Sequence, residues 1–297
     1  MTREIVTVVD GLSFSECPRW HENRIWFVDF YTSRVLSATE SGGDLRVEAE
    51  VPNQPSGLGW LPDGRLLVVS MRDARLLRRE ADGSLVTHAE LGPYVGGHPN
   101  DMVVDDRGRA FVGNFGFDLM AGGAVAPASL VRVDPDGSVT VVADDLWFAN
   151  GSVITDDGVL LVDETFGNRV SAFDITQDGE LTNRRTWARF GDLPTDTDLA
   201  LVLRQIAVAP DGCGLDAEGA LWIADAHRGR LLHVREGGEI LEEIDPGTGV
   251  FACMLGGHDG RTLFACTAPD FQEQARRTAR EGALVAIRVD VPHAGRP

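Results

Sequence analysis

A chain of 297 residues is long for one domain, yet all-β repeats often reach this length as a single unit, and a hydrophobic fraction of 43% supports a sizeable core. A formal net charge of -19 argues against nucleic acid and anionic membrane as partners, since both need clustered Lys and Arg. The four cysteines (Cys17, Cys213, Cys253, Cys266) form no CxxC pair and read as small buried hydrophobes, the N-terminal MTREIVTVVDG lacks a signal pattern, and no apolar run reaches membrane-spanning length. The expectation is a soluble, cytoplasmic protein, a monomer or weak homo-oligomer, with no nucleic-acid or membrane partner.

Taken along the chain, one cassette recurs: an apolar segment, a tight turn, then a strongly β run. The runs are RIWFVD (24–29), RLLVVS (65–70), RAFVGN (109–114), VLLVDE (159–164), ALWIAD (220–225) and TLFACT (262–267). Five are preceded by turns ending in Gly64, Gly108, Gly158, Gly219 and Gly260, and the first by Glu22-Asn23. Gly and Asn both tolerate the positive φ that such turns demand. A third strand follows in each cassette (34–39, 75–80, 129–134, 169–174, 230–235, 283–290), and a fourth in five of them (45–51, 84–91, 139–145, 181–190, 239–244). The missing fourth strand is available at the N-terminus as EIVTVV (4–9). Four antiparallel strands per unit of this length is a propeller blade. The fold predicted is therefore all-β: one six-bladed β-propeller over 1–297, with the N-terminal strand closing the last blade and removing an exposed edge. Two separate sandwiches would not explain a single six-fold cassette. Segments 115–128, 191–209 and 268–282 break the pattern as insertions, the last with a helical turn or two in FQEQARRTARE, and read as binding loops or lids.

The turn residue gives a ruler. Counting back eight from each Gly, and seven from Asn23, reaches Glu16, Ser56, Asn100, Asn150, Asp211 and Ala252 at the starts of the innermost strands. Those strands surround the axis, so these residues form a ring at one channel mouth. Five of the six offer an oxygen, and two carboxylates facing each other in a confined space call for a cation. Oxygen ligation with few charges predicts one divalent ion, Ca²⁺ first, with Mg²⁺, Mn²⁺ or Zn²⁺ as alternatives. The second strands are expected to end at the same mouth in Asp29, Asn114, Asp163 and Asp225, as groups around the metal site.

FSECPRW (14–20), HPND (98–101), ANG (149–151) and PDGCGLDAEGALWIA (210–224) resemble the regucalcin (senescence marker protein) and gluconolactonase family, over essentially the whole chain. The resemblance implies a six-bladed propeller, metal ligands Glu16, Asn150 and Asp211, a substrate-contacting Asn100, and Asp211 as acid/base of lactone hydrolysis. Two departures stand out. His98 occupies a position where sugar lactonases of this kind often carry Arg, and GNFGFDL (113–119) is more apolar than a sugar site suggests. An ester or less polar lactone is therefore expected as readily as an aldonolactone. His98, Asn100, Asn114, Phe115 and Phe117 are the expected substrate contacts, and His98 is a second catalytic candidate because an imidazole can accept a proton. No Gly-X-Ser-X-Gly elbow or phosphate loop occurs. The function expected is metal-dependent opening of a lactone or ester. A metal-dependent isomerase or lyase on the same site, or a non-catalytic metal-binding propeller, are the alternatives.

Overall fold

The computed structural model describes residues 3–295. Six four-stranded antiparallel sheets form the six blades. The innermost strands are Ser15–His21, Pro55–Trp60, Pro99–Val104, Ala149–Ile154, Pro210–Leu215 and Val250–Gly256, each packed on the next, with the last against the first. The closing strand is Ile5–Leu12. It pairs with Gly282–Arg288 through Ile5↔Ile287 and Val6↔Ala286, so the sixth blade is built from both ends of the described chain. The six second strands coincide with the β runs read from the sequence. Their turns have the expected backbone, with φ of 83° at Gly158 and 62° at Asn23.

Second strands read as continuous apolar runs because both of their faces are covered. In ALWIAD, Ile223 packs toward the fourth blade with Val153 and Leu161, while Trp222 packs toward the sixth with Leu255 and Leu263. The four cysteines are buried free thiols; Cys213 and Cys266 fill gaps between blades beside Ile223 and Phe264.

One regular departure positions the site. In all six innermost strands the register against the second strand slips near the start: after Glu16, Pro55, Pro99, Ala149, Pro210 and Val250. Such bulges re-aim side chains, and here they fall at or beside every residue of the predicted ring. The glycine after the ring residue is a packing requirement in three blades. A Cβ at Gly57 would meet the Met102 amide at 2.7 Å, one at Gly212 the Ala252 Cβ at 2.5 Å, and one at Gly151 would overlap the Asp211 carbonyl oxygen.

The insertions are partly helical. Helix α1 (Leu199–Gln205) lies within 191–209, capped by the Asp198 side chain accepting from the Leu201 amide at 3.1 Å. It was not foreseen; at seven residues it is too short to show a helical period. Helix α2 (Glu273–Ala279) lies where one or two helical turns were expected. The first two insertions are tied together by the Val125 amide donating to the Thr197 carbonyl at 2.8 Å.

Candidate active site

A cavity of about 550 Å³ opens at the mouth where the innermost strands begin. Four ring residues, Glu16, Asn100, Asn150 and Asp211, form its floor, each no more than 8% exposed. Ser56 sits beneath them and Ala252 offers no polar atom. The amides are locked by a relay that crosses four blades. Ser56 Oγ donates to Asn100 Oδ1 (2.9 Å), Asn100 Nδ2 to Asn150 Oδ1 (3.0 Å), Asn150 Nδ2 to Thr165 Oγ1 (3.0 Å), and Thr165 Oγ1 to the Pro210 carbonyl (2.8 Å).

The carboxylates are poorly compensated. Burial first pushes Glu16 up to about 8, with Asp101 adding to the rise, while the Cys17 amide donating to its carboxyl at 3.1 Å and Arg19 act the other way. Burial also pushes Asp211 well above the carboxylate range, and Glu16, Asp101 and Asp163 push it further; only the Asn150 amide acts the other way. The nearest cation, Arg19, is committed below the floor. Its guanidinium donates to Asp101 Oδ1 (2.6 Å) and to the Met102 and Pro18 carbonyls (both 2.8 Å). This buried pair was missed by the sequence reading, although both partners stand in the motifs that supplied the ring, FSECPRW and HPND.

Two buried carboxylates and two amides without a matching protein cation suit a hard divalent ion bound through oxygen. Among the described residues no cluster of three or more His, Cys, Asp or Glu side chains is positioned for a metal, so a zinc-type donor set is not gathered. The raised carboxyls also set a sign. A group whose folded pKa lies above its unfolded value stabilises the fold at low pH and loses that contribution as pH rises. The metal-free protein should therefore lose stability from about pH 4.5 upward through about 8, the span over which Glu16 is shifted. A Tm lower by about 5 °C or more at pH 8.5 than at pH 5.5 is expected. Saturating Ca²⁺ should shrink or reverse that difference, since bound metal competes with the protons. A metal-free Tm that is flat or rising over this range would contradict the floor's electrostatics.

The other predicted residues divide. His98 and Phe115 line the cavity, their ring centres 6.0 Å apart. His98 is half-buried, and burial lowers its imidazole below the usual value, so it is neutral at pH 7 and able to accept. Asn114 and Phe117 do not reach the cavity. Asn114 is fully buried, donating to the Ser129 carbonyl (2.6 Å) and accepting from the Gly116 amide (2.9 Å), which holds the start of the insertion. Phe117 packs behind the wall, its ring 5.8 Å from that of Phe166.

The carboxylates at the second-strand ends are also corrected. Register shows that the partner of Asp29, Asn114 and Asp225 in the fourth blade is Glu164, not Asp163. Asp29, Glu164 and Asp225 accept from the backbone amides of Ser13 and Phe14, Trp147, and Ala209, at 2.9–3.0 Å. They cap the chain as it enters the first, fourth and fifth innermost strands. Asp163, one residue earlier, points the other way and faces the Cys213 thiol.

What the sequence reading missed most is the wall. The residues just after four second strands, Phe30, Met71, Thr165 and Ala226, line the cavity beside the expected Phe115. The same ruler, extended past the strand ends, would have found them. Phe14, Phe148 and Phe251 join from just before the ring residues, and Leu199 and Leu203 of α1, Leu119, Met120 and Phe271 come from the insertions.

Fold and floor together define the class: a propeller enzyme whose innermost strands gather oxygen side chains beneath a cavity at one mouth of the channel. Residues 14–269 match the family described as SMP-30/Gluconolactonase/LRE-like region. The chain belongs to that family. It is similar to 6-deoxy-6-sulfogluconolactonase of Pseudomonas putida, 25% identical over 290 residues covering 95% of this chain and 93% of that protein. It is also similar to regucalcin of Danio rerio, 30% identical over 266 residues covering 85% and 82%. Among solved structures, the calcium-binding protein regucalcin of Agrobacterium tumefaciens superposes with a TM-score of 0.78 at 19% identity, covering 100% of this chain and 97% of that one.

Proposed function

We propose that this protein is a lactonase that hydrolyses a small-molecule lactone with the aid of one divalent cation. The observation that carries the reading is the floor: two under-compensated buried carboxylates and two fixed amides beneath one cavity. The names of the relatives, a sulfogluconolactonase and a calcium-binding regucalcin, support lactone chemistry and Ca²⁺ respectively.

Glu16, Asn150 and Asp211 would hold the cation. When bound it supplies a Lewis acid for the lactone carbonyl and charge for the developing oxyanion. The chain's own groups do the rest. Asp211, at the floor and short of positive partners, is suited to take the proton of the attacking water and return it to the leaving alkoxide. Asn100, its amide oriented by Ser56 and Asn150, positions the substrate. The aromatic wall and the insertions exclude water, which strengthens each electrostatic contact at the floor. His98, on the cavity wall, is the second proton-acceptor candidate.

The test is a panel of lactones and aryl esters assayed by product mass. Hydrolysis adds one water, whereas isomerisation leaves mass unchanged, and a product of unchanged mass would replace this reading with the isomerase alternative. On the best substrate His98→Ala is expected to lower kcat/KM by roughly 10–10⁴-fold and to alter its pH profile. His98→Arg should shift preference toward polyhydroxylated lactones, because Arg donates hydrogen bonds and cannot accept them. An unaltered kcat/KM and pH profile in His98→Ala would reduce His98 to a wall residue.

A further inference from the structure

Above the floor, the cavity is lined by two aromatic arcs. Phe14, Phe30 and Phe251 form one, with Phe14 centred 5.3 Å from Phe30 and 4.8 Å from Phe251. Phe115, Phe148 and Phe166 form the other, with Phe148 centred 4.6 Å from Phe115 and 5.6 Å from Phe166. Phe148 holds this place against its own backbone preference. Its φ is 60°, in the left-handed region where Gly or Asn is at ease and a bulky side chain is strained. The apolar sides of α1 and the 115–128 insertion complete the enclosure through Leu199, Leu203, Leu119 and Met120.

Polar atoms on the wall are mostly committed. Arg72 donates to Gln54 Oε1 (2.9 Å) and to Glu273 Oε2 of α2 (2.6 Å), a clasp between the second blade and the last insertion. The Tyr31 hydroxyl donates to the Phe271 carbonyl. Among the described residues, the imidazoles of His98 and His227 are the polar side chains on the wall without such ties. Two imidazoles cannot satisfy the several hydroxyls of a sugar lactone. A hydroxyl turned toward a phenyl ring gives up its water and gains no partner. An anionic substituent fares no better, since Arg72, the one Arg of the wall among the described residues, already carries a carboxylate and the floor is acidic.

We infer that the substrate is an uncharged lactone bearing an apolar alkyl or aryl substituent, with its ring on the Asn100–Asn150–Asp211 floor and its substituent between the two aromatic arcs under α1. This rests on the lactonase reading above and deepens it. The volume of about 550 Å³ falls in the range of pockets that enclose drug-sized ligands.

The experiment uses the full chain with saturating Ca²⁺ and two probe sets. The first is δ-lactones from δ-valerolactone to δ-decalactone, with gluconolactone, assayed for hydrolysis. The second is the corresponding alkyl δ-lactams and gluconolactam, which resist hydrolysis and are assayed by calorimetric binding. Expected is a rise in kcat/KM of about two- to fourfold per added methylene, with gluconolactone below the unsubstituted ring. The pentyl lactam should bind at least tenfold more tightly than gluconolactam. Leu203→Asn should flatten the gain per methylene in both sets. Preference for gluconolactone and gluconolactam would overturn the substrate class while leaving the lactonase reading in place. Tight binding of alkyl lactams without hydrolysis of any lactone would uphold the apolar class and sink the hydrolytic reading. No discrimination among lactams, or an unchanged methylene gain in Leu203→Asn, would overturn the inference.

Discussion

Asp211→Asn is expected to lower kcat/KM for lactone hydrolysis by about 10²–10⁴-fold, the span associated with loss of a general acid/base, and to weaken metal binding as well. The substitution keeps the side chain's shape and removes its charge. Burial and the neighbouring carboxylates hold Asp211 well above the usual range, so its ionised form is costly to the fold when no cation is present. The metal-free variant should therefore be as stable as the parent at pH 5.5 and more stable at pH 8.5. Loss of activity together with gained alkaline stability separates a functional carboxylate from a structural one. Asp163→Asn is the matched control. Asp163 is fully buried and also raised by burial, but it faces Cys213 and not the cavity. Its substitution should leave kcat/KM within a few-fold of the parent. Wild-type activity in Asp211→Asn would remove Asp211 from the chemistry.

Gly151→Ala should damage the site through the backbone alone. The added Cβ would overlap the Asp211 carbonyl oxygen and lie 2.8 Å from the Gly212 Cα and 2.9 Å from the Cys213 amide, all of them backbone atoms that cannot step aside singly. Two neighbouring innermost strands must separate, and they carry Asn150 and Asp211. A stability loss of about 1–3 kcal/mol is expected, typical of overpacking, together with a weakening of metal affinity by at least tenfold. Gly158→Ala is the comparison. Its φ is 83° and no atom lies within 4 Å of the added Cβ. It should cost about 1–2 kcal/mol of backbone strain and leave metal affinity and kcat/KM unaltered. Equal effects of the two substitutions on metal affinity would mean that the ring does not depend on this close approach.

The propeller was legible because its turns are chemically marked. Gly or Asn at one fixed place in each cassette announces a positive φ, and the six apolar runs that follow need burial on both faces. The ring was legible for the same reason, as a constant offset from those turns. The bulges were not, since a register slip adds no distinctive residue. They explain why Glu16 and Asp211 face the channel mouth although strict alternation along each strand would not require it. Asn114 was misplaced because, at the end of its strand, its amide is taken by the Ser129 carbonyl and the Gly116 amide, and Phe117 because the chain turns at Gly116, where φ is 83°, and carries it behind the wall. The carboxylates Asp29, Asp163 and Asp225 misled in another way. Acidic residues near the channel mouth suggested groups around a metal site, but backbone amides at the entry to three innermost strands claim Asp29, Glu164 and Asp225.

Lactone hydrolysis is proposed to require a divalent ion on the Glu16–Asn150–Asp211 floor. Stripping the protein with chelator and titrating Ca²⁺ back, while following hydrolysis and bound metal by elemental analysis, tests it most directly. Activity should be near background without metal and return in proportion to binding, saturating at about one ion per chain, the single floor defined here. Full activity in excess chelator, with no metal retained by the protein, would contradict it.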